Sequence, residues 1–238
     1  MILNKTGEKM KNLAIIPARS GSKGIVDKNI KLLSGKPLLA YSIKAALESK
    51  QFDTVMVSTD SEEYALISKE YGAEVPFLRI PNTSSDVASS WDVVAEVLDN
   101  YHLLGQDYDT VMLLQPTSPL RTSRSIIGAF CEMEKKSACS VVSVCETEYS
   151  PLHCNTLPDS NSLTGFINPL AKGKRRQDME KYYRFNGAIY LTKVDFFLEC
   201  HDIFRDRCFA YIMDRQESID IDDDFDFVLA EAILNNNK

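Results

Sequence analysis

Histidine, tryptophan and paired cysteine are scarce in this 238-residue chain. Three histidines and one tryptophan occur, and none of the six cysteines stands in a CxxC pair. The ligand spacing of a zinc site is therefore missing. A basic surplus is missing too. Lys and Arg number 27 against 34 Asp and Glu, a formal net charge of −7. Proteins that coat nucleic acid carry the opposite sign, so no nucleic-acid partner is expected. No apolar run is long enough to cross a bilayer, and the first residues show no signal-peptide pattern. No membrane partner is expected either. The acidity leaves anionic substrates open, because a local cationic pocket holds them against an adverse net charge.

What is present suits one α/β domain. Hydrophobic residues make up 44% and charged residues 26%, enough to bury a sizeable core. Cys131, Cys139, Cys145, Cys154, Cys200 and Cys208 stand singly, several in apolar runs. They read as buried thiols, and a reducing cytoplasm is the expected location. Met1 to Lys11 is polar, with Met10 an alternative start, and is expected to be a disordered extension to a domain over 12–238.

Strand and helix signals alternate. Leu13 to Ala18 reads as a buried strand and Pro37 to Glu48 as a helix. Thr54 to Ser58 is a strand, followed by a helix capped by Asp60 or Ser61 and closed at Gly72. Ala73 to Phe77 is expected to return as a third strand. Ser89 or Ser90 opens a helix to about Leu104, Thr110 to Leu114 is a strand, and Thr122 or Ser123 caps a helix to about Lys136. Cys139 to Cys145, Gly187 to Leu191 and Phe209 to Met213 read as strands, and Asp223 to Leu234 as the last helix. This rhythm predicts a mostly parallel sheet with helices on both faces, and ligands beyond the strands' carboxyl ends. It breaks over Glu146 to Tyr183, which reads as an inserted arm.

Five segments carry chemistry. Ala18 to Gly24 (ARSGSKG), with Lys28 and Asn29, directly follows the first strand. Its glycines let backbone N–H groups turn inward around a phosphate, and Arg19, Lys23 and Lys28 supply cations. It matches neither GxxxxGK[ST] nor GxGxxG. A solvated basic loop is the plainer alternative. In Ser218 to Asp222 (SIDID), Asp220 and Asp222 sit two apart on an extended segment and project to one side, a hard-oxygen pair suited to Mg²⁺. Helix capping explains Asp222 to Asp224 without a metal, but not Asp220 between two isoleucines. Leu113 to Arg121 ends a strand in Gln115, whose amide both donates and accepts, within a rigid two-proline loop. Tyr183 to Tyr190 sets Asn186 and Gly187 at a strand start. Lys172 to Arg176 is a basic run: a solvated face, or a clamp for a carboxylate.

In this order, the segments resemble the CMP-sialic acid synthetase family, the acylneuraminate cytidylyltransferases. The resemblance runs from about Asn12 to Leu234 on IIPARSGSKG, DKN, VSTD, SSDVASS, LLQPTSPLRT, RFNGAIY and SIDID. It implies a three-layer, Rossmann-like nucleotidyltransferase fold with a mostly parallel sheet. It also implies a homodimer with shared active sites, in which the arm, 146–183, crosses to the partner. The implied activity joins CTP to an acidic nine-carbon sugar, N-acetylneuraminate first, giving the CMP-sugar and pyrophosphate. Ala18, Arg19, Ser22, Lys23, Asn29, Arg79, Ala88 and Ser90 would bind CTP. Gln115, Asn186 and Tyr190 would face the sugar, with Arg176 and Gln177 reaching it from the neighbouring subunit. Asp220 and Asp222 would hold Mg²⁺ or Mn²⁺. Lys23, Arg19 and Asp222 would be catalytic, Asp222 as proton acceptor.

One position departs from the family pattern. His153 follows Pro151 and Leu152 where better-known members carry lysine, which leaves the acceptor's identity open. A legionaminic acid synthetase is one alternative; a non-catalytic nucleotide-binding relative is another. A pseudaminic or octulosonic acid enzyme ranks lower, the former because Gly24 stands where that type carries arginine, the latter because its phosphate loop reads differently.

Overall fold

The computed structural model describes residues 9–21, 24–84, 89–175 and 178–236. In chain order the elements are β1 (Asn12–Pro17), the two-residue hairpin strands β2 (Leu32–Leu33) and β3 (Lys36–Pro37), and helix α1 (Leu38–Ser49). Next come β4 (Thr54–Ser58), α2 (Glu62–Glu70), the single turn α3 (Pro81–Ser84), α4 (Ser90–Leu103), β5 (Thr110–Leu113) and α5 (Ser123–Lys135). The chain continues with β6 (Ser140–Glu146), β7 (Tyr183–Lys193), α6 (Val194–Leu198), β8 (Cys208–Ile212) and α7 (Asp224–Asn236).

The main sheet has six strands in the order β4-β1-β5-β7-β6-β8. β1 pairs in parallel with β4 and β5, and β6 in parallel with β8. β7 alone is reversed, antiparallel to both β5 and β6. Strands with helices on both faces carry apolar residues on both, and Leu13, Ala14, Ile15 and Ile16 are all fully buried. Ala14 and Ile16 pack against Leu39 and Ile43 of α1, Tyr64 of α2, and Ile126 and Phe130 of α5. Leu13 and Ile15 face the other way, into a cluster with Val94 and Val97 of α4 and Phe197 of α6. The expected three-layer α/β fold with a mostly parallel sheet is what forms. A third, smaller cluster gathers Ile25, Leu33, Leu38, Leu120 and Ile221 against Phe227 and Ala230 of α7.

The caps read from the sequence set the helix starts. Ser61 accepts a hydrogen bond from the Tyr64 N–H, and Ser89 and Thr122 each form a reciprocal capping box, with Asp92 and Ser125 respectively. Three expectations change. Ala73 to Phe77 is no strand; one bridge, Met56 to Glu74, joins it to β4. Pro76 has no N–H to extend the ladder. Of the cysteines only Cys145 is buried, while Cys131, Cys154 and Cys200 are exposed. Met1 to Glu8 lie outside the described residues, but Lys9 to Lys11 belong to the fold. Met10 is buried, and the Lys11 N–H donates to Asp109 Oδ2 at 2.7 Å. The arm is a long loop with short 3-10 turns at Pro151–His153 and Pro169–Ala171. Its base is closed where Glu146 pairs with Tyr183. No helix among the described residues is long and apolar enough to cross a membrane.

Packing overrides helix propensity at Gly128, in the middle of α5. A Cβ there would overlap the Tyr211 hydroxyl and ring edge of β8. Glycine to alanine in a helix interior ordinarily stabilises by about 1 kcal/mol. Gly128→Ala is expected instead to destabilise by about 1–3 kcal/mol through overpacking, measured by urea unfolding. The same substitution in a Tyr211→Ala background should stabilise.

Candidate active site

The site is assembled at the carboxyl edge of the sheet, starting with the turn after β1. The buried Ala18 donates its N–H to the Ser58 carbonyl of β4 at 2.9 Å. Asn29, also buried, donates from Nδ2 to the Arg19 carbonyl at 3.0 Å. Asp60 accepts from the Ser20 N–H at 2.8 Å and from its hydroxyl at 3.2 Å. The loop is thus braced from three sides. Gly21 sits at φ +69, in the left-handed region that favours glycine. Ser22 and Lys23 lie outside the described residues.

Arg79 is bound beneath this loop. It donates from Nε to the Ser58 hydroxyl at 3.1 Å and from Nη2 to the Ser58 carbonyl at 2.7 Å. Burial holds its pKa below the usual arginine value, with Asp60 and Glu96 opposing that shift and Arg19 adding to it. Ser90 opens α4, and its neighbour Trp91 meets the Tyr190 ring edge-on with centroids 6.0 Å apart. The start of α4 and the middle of β7 therefore lie side by side. Ala88 lies outside the described residues.

The distant carboxylate segment meets the loop directly. Lys28 Nζ donates to the Ile221 carbonyl at 2.7 Å and stands 3.8 Å from Asp222 Oδ1. A Cβ on Gly24 would lie 3.1 Å from the Asp222 carbonyl oxygen, so an arginine or any other side chain there would crowd that strand of backbone. The two acids differ sharply. The Asp222 side chain is 84% exposed. Asp220 is half-buried, and its Oδ1 has no hydrogen-bond partner. Burial, then the neighbouring Asp222, raise the Asp220 pKa; the Thr117 side chain, Lys28 and Arg184 oppose this.

Gln115 completes this side. A Cβ built on Gly187, at φ +72, would fall 2.6 Å from Gln115 Oε1 and 3.3 Å from Asp220 Oδ2. The bare face of Gly187 is where the glutamine amide and the carboxylate approach each other. Tyr190 is close enough for Asp220 to raise its pKa, second to burial. Asn186, expected to face the sugar, is fully buried instead. Its Oδ1 accepts from the Ser143 hydroxyl at 2.6 Å and from the Ala188 N–H at 3.2 Å, while Nδ2 donates to the Ser218 hydroxyl at 2.9 Å. It supports the site from below. Arg176 and Gln177 lie outside the described residues. Sequence reasoning missed three contributors: Asp60, read only as a helix cap; Thr117, inside a loop read for Gln115; and Arg121, whose fully buried guanidinium sits behind Gln115.

A glycine-containing cationic turn therefore faces a carboxylate pair across one sheet edge, with an amide beside the buried acid. Residues 13–235 match the cytidylyltransferase family. The chain belongs to that family. It is 42% identical over 225 residues to an N-acylneuraminate cytidylyltransferase of Escherichia coli, a match covering 94% of this chain and 52% of the relative. The chain thus spans about half the length of that cytidylyltransferase. Identity is 35% to the CMP-N,N'-diacetyllegionaminic acid synthase of Legionella pneumophila, covering 96% of this chain and 98% of the relative. It is 36% to a pseudaminic acid cytidylyltransferase of Campylobacter jejuni, with the same two coverages. These relatives bear out the resemblance read from the motifs. In structure, the chain is similar to a CMP:2-keto-3-deoxy-manno-octonic acid synthetase solved with CTP, at TM-score 0.70 and 15% identity over 96% of this chain and all of that one. At that identity the likeness is one of fold.

The acids of this site would fit a divalent metal. Asp220 Oδ1 is an orphaned buried acceptor, and carboxylate oxygens are the donors Mg²⁺ prefers. Among the described residues no group of three or more His, Cys, Asp or Glu stands ready to hold an ion. A metal taken up with phosphates and water can rest on one or two carboxylates.

The raised Asp220 pKa has a definite sign. The folded protein keeps this proton to higher pH than the unfolded chain, so stability falls as pH rises from the ordinary carboxylate value of 3.8 through the raised one. In metal-free protein, Asp220→Asn should therefore melt higher than wild type at pH 7.5, with the gap shrinking toward pH 4. Millimolar Mg²⁺ should raise the melting temperature of wild type with CTP and leave Asp220→Asn with CTP unshifted.

Proposed function

We propose that this chain transfers CMP from CTP to the anomeric hydroxyl of an acidic nine-carbon sugar and releases pyrophosphate. The supporting observation is the junction of the cationic loop with the carboxylate segment through Gly24, Lys28, Ile221 and Asp222. A triphosphate lying on the loop extends from there toward Asp220, and an acceptor beside Gln115 and Tyr190 meets its α-phosphorus. N-acetylneuraminate is the favoured acceptor, on the 42% identity to the Escherichia coli enzyme. N,N'-diacetyllegionaminate is the alternative, on a relative matched over nearly its whole length.

The chemistry follows from the charges. A bond forms between the sugar's anomeric oxygen and the α-phosphorus, and the bond to the β-phosphate oxygen breaks. Negative charge moves onto phosphoryl oxygens, and Arg19, Lys23 and Lys28 offset it, with Ser22 and the loop N–H groups as donors. Asp222, exposed at its side chain, takes the hydroxyl proton. Asp220 and Asp222 would hold Mg²⁺ or Mn²⁺, which on binding neutralises phosphate charge and lowers the pKa of a bound hydroxyl. Gln115 orients the sugar by donating and accepting at once.

The working form in this reading is a cytoplasmic homodimer. The arm leaves large apolar side chains uncovered in the single chain: Tyr149, Leu157, Leu163, Ile167 and Leu170 are all exposed. A partner subunit covers them, and Arg176 and Gln177 reach that partner's sugar.

Pyrophosphate release with CTP, Mg²⁺ and a panel of nonulosonic acids tests the reading. N-acetylneuraminate should give the highest kcat/KM, and none with any acid would leave a nucleotide-binding protein without turnover. Lys23→Ala should lower kcat about 10²–10³-fold, the loss expected for one charge contact in the transition state. Mixing Arg176→Ala with Lys23→Ala chains should restore part of the activity in verified mixed dimers. No recovery would mean that the arm serves its own subunit.

A further inference from the structure

Arg121 is the most deeply buried cation in the described part of the chain, and no carboxylate there pairs with it. Nη1 donates to the Gln115 carbonyl at 3.2 Å and to the Ala188 carbonyl at 2.8 Å. Nη2 donates to the Ser42 hydroxyl of α1, and Nε has no partner. Stability alone does not favour this choice. A guanidinium buried among neutral acceptors pays desolvation with no counter-ion in return. Its place just before Thr122, the N-cap of α5, sets a cation against the positive end of that helix. An apolar side chain of similar volume would fill the space at less cost. What such a side chain cannot do is donate to two backbone carbonyls from two different segments at once, as Nη1 does here.

Those two carbonyls belong to the residues flanking the approach point in the site. Gln115 carries the amide, and Ala188 follows Gly187, whose bare face meets Gln115 Oε1 and Asp220 Oδ2. The Ser42 hydroxyl also reaches the Gln115 carbonyl at 3.4 Å, so the tie extends to α1. We infer that Arg121 is a positioning residue for the acceptor: it locks the Gln115 turn against β7 at Ala188, and so fixes the spacing of the Gln115 amide and the Asp220 carboxylate across Gly187. The inference rests on the proposed reading that Gln115 faces the sugar. The described hydrogen bonds of the guanidinium go to Gln115, Ala188 and Ser42, which makes the predicted effect selective.

The test is steady-state kinetics of Arg121→Met and Arg121→Lys, with the acceptor that wild type turns over best. CTP affinity is measured separately by isothermal titration calorimetry. Folded Arg121→Met should show a tenfold or greater rise in acceptor KM with CTP affinity within twofold of wild type. Arg121→Lys, which still donates to carbonyls, should recover at least threefold of that loss. An acceptor KM within twofold of wild type, or equal losses for CTP and acceptor, would overturn the inference. Should Arg121→Met fail to fold, Ser42→Ala decides: a threefold or greater rise in acceptor KM alone supports it, and an unchanged acceptor KM overturns it. Wild type that turns over no acceptor in the panel overturns the acceptor reading, and this inference with it. Wild type that is active while Arg121→Met matches it overturns this inference alone.

Discussion

The candidate site is held in register by a small apolar cluster beneath it. Ile25 of the loop and Ile221 of the carboxylate segment share that cluster with Leu38, Leu120 and Phe227. The two segments are nearly two hundred residues apart in sequence, and no strand pairing joins them. Burial of two isoleucines against α7 and the start of α1 brings the cationic turn and the acids to a common edge. The Lys28 bond to the Ile221 carbonyl then sets the finer alignment. Apolar burial is undirected, so it supplies attraction; the charged hydrogen bond supplies geometry.

Above that cluster, many residues with polar side chains brace the scaffold. Asn29 holds the Arg19 carbonyl, Arg79 holds Ser58, Asn186 holds Ser143 and Ser218, and Arg121 holds Gln115 and Ala188. Each fixes its neighbours from the interior by hydrogen bonds. Arg19, Gln115, Asp220 and Asp222 are less buried than this framework. Fixed dipoles of this kind need no rearrangement when charge shifts beside them.

The layers and most element boundaries were legible because caps and apolar runs are local signals. Ser61, Ser89 and Thr122 mark helix starts with their own side chains, and Leu13 to Ile16 shows by composition alone that both faces are covered. The reversal of β7 was not legible, since Gly187 to Leu191 reads the same in either direction. Of the site, the loop and the acids stood out because glycine, lysine and paired aspartates have few ordinary explanations together. Asn186 misled because an amide at a strand start suits a ligand as well as it suits Ser143. Arg121 was invisible because an arginine before a helix reads as solvent-facing, and only the packed structure reveals its burial. Asp60 fits a cap as well as a loop anchor, and the Ser20 contact alone distinguishes them.

The reversed β7 has an architectural consequence. Because it enters the sheet from the carboxyl edge of its neighbours, the excursion preceding it departs from and returns to that same edge, sealed at its root by Glu146 and Tyr183. A change in the length of that excursion leaves the threading of the sheet intact. Its return stays anchored three residues from the buried Asn186.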